Sequence, residues 1–127
     1  LLGITSTKRD LTYVEDTCNA VNLLVKNFNK FAGETFNVGS NNSISISDLV
    51  KRISKIMNSN IKIIRDEKRI RPLKSEVLEL DCDYNKLNKL TGYKPTVSMD
   101  MGLKKTISWL KKDLKKNKNK DYSNYNI

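Results

Sequence analysis

Within nine residues, Arg69-Ile70-Arg71-Pro72-Leu73-Lys74-Ser75-Glu76-Val77, the chain gathers guanidinium groups, a rigid proline and a carboxylate. These types suit a polyanion that also carries hydroxyls. Arg offers a planar fork of donors for phosphate oxygens, and an ionised Glu, which only accepts, suits a pair of ribose hydroxyls. Pro72 fixes its own φ and biases Arg71 toward an extended backbone, so the Arg71 side chain leaves the chain in a defined direction. The same composition also suits a solvated loop, and the segment alone leaves both readings open.

Other chemistries are narrowed by composition. The 127 residues contain no His, and the two cysteines, Cys18 and Cys82, lie far apart without metal-ligand spacing, which argues against a zinc site and against His-based catalysis. Reduced thiols and a cytoplasmic location are the expectation. The longest apolar runs, such as Val21-Asn22-Leu23-Leu24-Val25, are far too short to span a bilayer. The beginning, Leu1-Leu2-Gly3-Ile4-Thr5-Ser6-Thr7-Lys8-Arg9, has neither an initiating Met nor a basic segment ahead of an apolar one, and reads as a cut end rather than a signal peptide.

The formal charge of +10 invites a nucleic-acid reading, yet residues 104 to 120 hold eight Lys against one Asp and so account for +7 of it. Most of the basicity belongs to the last helix and to residues 117–127, a Lys- and Asn-rich tail too polar to pack and expected to be disordered. A small basic module for RNA, DNA or another polyanion is the rival reading. The clustering weighs against it, because such modules spread Lys and Arg over a folded face with stacking aromatics.

The elements that must position these residues follow from pattern. Asp10 to Val14 have strand character. Asp16 reads as the cap of a helix running to about Phe31, with Val21, Leu24, Val25 and Phe28 at i, i+3, i+4 and i+7 and with Gly33 as a left-handed stop. Glu34 to Val38 resume strand character, and Gly39-Ser40-Asn41-Asn42-Ser43 is a polar turn without the glycine repeat or the Lys-Ser/Thr of a phosphate loop. Ser45 caps a helix over about 47–58 with an apolar stripe of Ile46, Leu49, Val50, Ile53, Ile56 and Met57. Ile61 to Ile64 complete an expected right-handed βαβ crossover. Asp83 caps a short helix over 84–91 ended by Gly92, and Ser98 caps a last helix over 99–115 with Leu103, Ile107, Leu110 and Leu114 on one side.

Several of these pieces occur together in a known order. Arg9-Asp10-Leu11-Thr12-Tyr13-Val14-Glu15-Asp16-Thr17 resembles the Arg-Asp-Phe-Thr-Tyr-Val-Asp-Asp-Thr signature of extended short-chain dehydrogenase/reductases, specifically the NAD-dependent sugar-nucleotide epimerases and 4,6-dehydratases. Phe36-Asn37-Val38-Gly39-Ser40 is similar to their Tyr/Phe-Asn-Val/Ile-Gly-Ser strand and turn. Arg71-Pro72-Leu73-Lys74-Ser75-Glu76-Val77 resembles their Arg-Pro-x-x-Ser-Glu-Val segment, and Asp83 to Pro95 their Asp-x-x-Lys-x-x-x-Leu-Gly-Trp-x-Pro element. Each motif alone is weak, whereas four in the right order over residues 3 to 114 are strong.

The resemblance implies an α/β fold, the C-terminal fragment of a Rossmann-type enzyme with short strands and about four helices. It implies that Arg9 and Arg71 grip the diphosphate of a nucleotide-diphosphate sugar, that Glu76 serves its ribose hydroxyls, and that Asn37 stands near the junction of the two lobes. Leu11 in place of Phe or Trp, and Thr91-Gly92-Tyr93 in place of Leu-Gly-Trp, are departures that alter packing. The family's Gly-x-x-Gly-x-x-Gly loop and Tyr-x-x-x-Lys pair have no counterpart in these 127 residues. Residues 1–116 therefore read as the substrate-binding portion of a sugar-nucleotide dehydratase or epimerase, the 4,6-dehydratase form being favoured. NAD would be bound by an N-terminal Rossmann half outside this chain, the complete enzyme would be a homodimer, and this chain alone would be inactive.

Overall fold

The computed structural model describes residues 1–70, 72 and 76–116. It is a mixed α/β arrangement: a small three-stranded sheet with five α-helices among the described residues. The strands are β1 (Lys8–Asp10), β2 (Ser43–Ser45) and β3 (Glu79–Leu80), in the order β2-β1-β3. β1 runs antiparallel to β2 with Arg9 opposite Ile44, and parallel to β3 with Arg9 opposite Leu80. Arg9 thus sits in the middle of the central strand.

The helices α1 (Val14–Lys26), α2 (Phe28–Phe31), α3 (Ile46–Met57), α4 (Asn85–Thr91) and α5 (Met99–Lys116) follow the expected order, with one break. Asn27, at φ −118° and ψ 27°, interrupts what reads in sequence as a single helix to Phe31. Its side-chain amide donates to the Leu23 carbonyl at 3.0 Å and its own N–H to the Leu24 carbonyl at 3.1 Å, so the last turn of α1 is closed by Asn27. The cap of α3 is as the sequence indicates, whereas the N-cap of α4 is Tyr84, without a side-chain cap bond, and Asp83 stands one residue before it. Ser45 accepts from the Asp48 N–H at 3.1 Å, and Asp83 accepts from the Asn85 N–H at 2.8 Å. Gly33 and Gly92 take positive φ of 83° and 74°, the left-handed stops that glycine adopts without a Cβ clash.

Three strand expectations are corrected. The ladder lies at Lys8–Asp10 rather than Asp10 to Val14, because Val14 already begins α1, with Tyr13 held extended before it at φ −69° and ψ 142°. Glu34 to Val38 form no ladder among the described residues; Phe36 and Val38 instead turn onto the core. Ile61 to Ile64 form no strand either, and no βαβ crossover follows. That stretch contributes the Ile64 carbonyl, which accepts from the Leu2 N–H at 3.0 Å, beside an isolated parallel bridge between Leu2 and Arg65. A strand needs a partner edge, and residue type cannot supply one.

The core is small and lies between α1 and α4. Ala20, Leu87 and Tyr93 are fully buried, with Leu23, Leu24, Phe36, Val38 and Tyr84 packed around them and the Tyr84 and Tyr93 rings edge to face at 5.6 Å between centroids. The Tyr93 hydroxyl donates to the Gly39 carbonyl at 3.3 Å. Gly39 has no room for a side chain: a Cβ there would lie 2.2 Å from the Cys82 Cβ and 2.8 Å from an Asp10 carboxylate oxygen. α5 lies against α3, where Arg52 meets Asp100 at 2.7 Å. No described helix is long and apolar enough to cross a membrane. Residues 117–127 lie outside the described residues.

Candidate functional site

The ladder between β1 and β3 sets the site. The Lys8 N–H donates to the Leu78 carbonyl at 2.8 Å, which draws the segment before β3 alongside β1 and carries Glu76 and Val77 to the Arg9 side chain. Arg9 Nη1 donates to the carbonyls of Lys8 at 2.7 Å and Val77 at 2.9 Å, and Nη2 donates to Glu76 Oε1 at 3.3 Å. The side chains of this ion pair retain only 27% and 10% of their exposure. Arg9 and Glu76, 67 positions apart, are therefore brought together.

Of the remaining expected site residues, Arg71 lies outside the described residues, as do Leu73, Lys74 and Ser75. Asn37 is exposed and, among the described residues, no hydrogen bond ties its side chain to Arg9 or Glu76. Glu79, the other acidic residue beyond the proline, accepts from the Ser43 hydroxyl at 2.7 Å and from Lys8 Nζ at 3.4 Å. The Ser43 hydrogen bond and the Lys8 ammonium hold the Glu79 carboxyl below its usual range. The two acids are thus sorted by partner, Glu76 to the half-buried arginine and Glu79 to the exposed β1–β2 edge.

Two further carboxylates shape the surroundings, and sequence reasoning missed both roles. Asp10 accepts from the N–H groups of Ser40 and Asn41, each at 2.8 Å, and from the Ser40 hydroxyl. The polar turn after Gly39 thus wraps a carboxylate of its own chain, so its N–H groups are unavailable to a phosphate. The signal was legible in principle, since successive N–H groups in such a turn make an anion nest. Asp16 is not the cap of α1, which starts after Tyr13 with no side-chain cap bond. Only 2% exposed, it accepts from the Thr96 N–H at 2.9 Å, the Thr96 hydroxyl at 2.8 Å and the Val97 N–H at 3.0 Å. Burial works against its ionisation, but these three bonds and nearby Lys105 outweigh it and hold Asp16 below the usual carboxylate range.

Between these two clamps lies a cleft of about 290 Å³ lined by Thr12, Tyr13, Ser40, Asn42, Thr96 and Ser98 among others. Its walls offer hydroxyls, an amide and the Asp16 carboxylate, whose oxygens are already bonded to Thr96 and Val97, a set that can hold a polar group. Neither Arg9 nor Glu76 lines it. Among the described residues no cluster of three His, Cys, Asp or Glu could hold a metal ion, and both cysteines are free thiols. Burial, followed by the charges of Asp10, Asp83 and Asp81, pushes the Cys82 thiol up, away from the reactive thiolate.

The geometry has counterparts of known kind. The sequence profile described as GDP-mannose 4,6 dehydratase matches residues 1–106. The UDP-N-acetyl-alpha-D-glucosaminuronate decarboxylase of Bacillus cytotoxicus is 31% identical over 105 residues, covering 81% of this chain and 32% of that protein. The dTDP-glucose 4,6-dehydratase 1 of Escherichia coli is 30% identical over 108 residues, covering 80% of this chain and 28% of that one. Among solved structures, the UDP-glucose 4-epimerase of Thermotoga maritima with UDP-glucose superposes with a TM-score of 0.74 at 26% identity, over 90% of this chain and 35% of that one. The chain spans about a third of the length of these relatives. With the profile covering most of its residues and the Arg9 strand folded as described, the chain belongs to the NAD-dependent sugar-nucleotide dehydratase and epimerase family of extended short-chain dehydrogenase/reductases.

Proposed function

We propose that this chain is the C-terminal, nucleotide-sugar-binding part of an NAD-dependent sugar-nucleotide 4,6-dehydratase or epimerase. The observation that carries the reading is the Arg9–Glu76 pair, a guanidinium and a carboxylate assembled by the β1–β3 ladder, with Glu76 five positions after Arg71 in the sequence. In this reading Arg9 and Arg71 bind the diphosphate, Glu76 accepts from the ribose, and Asn37 faces the junction with the Rossmann lobe. Charge-assisted hydrogen bonds of this kind hold and orient a substrate without reacting it.

The residues present do not make a site for NAD. The one Gly-Ser-Asn turn among the described residues has its N–H groups bound to Asp10, and the chain has neither a dinucleotide loop nor a Tyr-x-x-x-Lys pair. NAD, which supplies hydride transfer when bound, belongs in this reading to an N-terminal Rossmann half encoded outside these 127 residues. The complete enzyme would be a cytoplasmic homodimer. Without its Rossmann half the chain presents the unladdered Glu34 to Val38 segment, the exposed Val21 and Val25 of α1 and the exposed Phe28 of α2, surfaces that invite self-association.

The test is direct. The purified chain is mixed with NAD and a panel of UDP-, GDP-, dTDP- and CDP-sugars, with and without a co-expressed Rossmann half. The chain alone is expected to form no 4-keto product and to self-associate, and the added half is expected to suppress association and restore turnover. A 4-keto product formed by this chain alone would overturn the reading.

A further inference from the structure

A guanidinium carries five N–H donors. In Arg9, both Nη1 donors go to backbone carbonyls, of Lys8 in β1 and Val77 beside β3, and one Nη2 donor goes to Glu76 Oε1. By count, the Nε–H and the second Nη2–H have no partner among the described residues, and two donors are the number a bidentate phosphate contact uses. The carbonyl contacts are neutral and bridge two separate segments, whereas the Glu76 carboxylate, 10% exposed, is the one charged contact on the guanidinium among the described residues. An ion pair so shielded from water is not of the exposed kind that contributes little. Glu76 Oε2 has no partner among the described residues, so engagement with Arg9 leaves one oxygen for a hydroxyl.

We infer that Glu76 is a positioning residue for Arg9: it holds the guanidinium in place for a diphosphate whether or not the ligand carries a ribose. The inference rests on the reading of Arg9 as a diphosphate contact, and it assigns Glu76 a task separate from ribose recognition. The two tasks depend differently on the ligand. A carboxylate that serves only the ribose is indifferent to inorganic pyrophosphate; one that sets Arg9 is not.

The full chain is titrated with inorganic pyrophosphate and with UDP, GDP, dTDP and CDP, as wild type and as the Arg9→Lys, Glu76→Gln and Glu76→Ala variants, reading the dissociation constant and the Arg9 Nε–H resonance. Glu76→Ala is expected to weaken pyrophosphate about tenfold, the scale of one charge-assisted hydrogen bond, and to shift the Arg9 resonance in the free protein. Glu76→Gln should recover part of the loss, because its amide oxygen still accepts from Nη2 while its volume guards against a trivial folding defect. Pyrophosphate affinity unchanged in Glu76→Ala, with Arg9→Lys weakened, overturns the positioning role alone. Affinity unchanged in Arg9→Lys as well, or no diphosphate binding to the wild-type chain at millimolar concentration, overturns the role of Arg9 and the inference with it.

Discussion

Asp16 and Glu76 are both carboxylates that reach far along the sequence, yet they end in opposite conditions. Asp16 is 2% exposed and saturated, with three donors from Thr96 and Val97 filling both oxygens and locking the start of α1 to the approach of α5. Glu76 has one oxygen on Arg9, and among the described residues its other oxygen and two of the Arg9 donors have no partner. The difference lies in how much hydrogen-bonding capacity the fold leaves to side chains of the same chemistry. A saturated buried carboxylate contributes stability and has nothing left to offer a ligand, whereas a partly committed pair still has hydrogen-bonding capacity that a ligand can use.

The largest effect that would test this contrast is on stability. Asp16→Ala leaves two backbone N–H groups and a hydroxyl without their acceptor, and should cost about 3 kcal/mol, or roughly 15 °C in melting temperature. A loss below about 1 kcal/mol would mean that the clamp is dispensable. The same residue gives a pH signature. Its folded pKa lies below the unfolded value, so the ionised clamp adds stability at pH values above the unfolded pKa, and that stability is lost as the pH falls through the folded one. Urea unfolding followed from pH 5 to pH 2 should show this acid loss in the wild type and a flatter profile in Asp16→Asn.

On the other side of the contrast, Arg71→Ala in the complete enzyme should weaken nucleotide-sugar binding by about ten- to a hundredfold, or roughly 1.5 to 3 kcal/mol, while leaving the melting temperature nearly unchanged. Arg71→Lys should not fully restore affinity, because an ammonium lacks the planar fork. Isothermal titration with the nucleotide sugar checks both, and unchanged affinity in the alanine variant returns the Arg-Pro segment to a solvated loop. The smallest effect is expected from the end of the chain. Deleting residues 117–127, whose Lys and Asn content offers no apolar spacing, should move the melting temperature by less than about 5 °C, close to 1 kcal/mol for a chain of this size. A larger drop would show that those residues pack.

How much of this was legible in sequence depended on the range of the interactions involved. The α3 helix, its Ser45 cap and the glycine stops at Gly33 and Gly92 are set within a few residues, and the structure bears them out. The break at Asn27 was also local in cause but needed a side-chain amide to choose the Leu23 carbonyl, a choice that apolar spacing does not encode. The strands were misplaced because β-branched and aromatic residues mark a chain that suits a sheet without saying where the next strand lies. Asp16 was read as a cap because the apolar spacing of a helix follows it from Val21, whereas its actual partners lie 80 and 81 positions away.

The amino-acid sequence determined the family, the order of the helices and the supply of arginines and acids, because those rest on motif order and on hydrogen bonds that close within one helical turn. Tertiary structure alone decided that β1 would take its partners from Ser43–Ser45 and Glu79–Leu80, that Glu76 rather than Glu79 would meet Arg9, and that Asp16 would fasten a loop instead of starting a helix. The reason is physical. A donor or acceptor that leaves its own helical turn can be satisfied by any group the packed chain brings within about 3 Å, and only the assembled fold selects which one arrives.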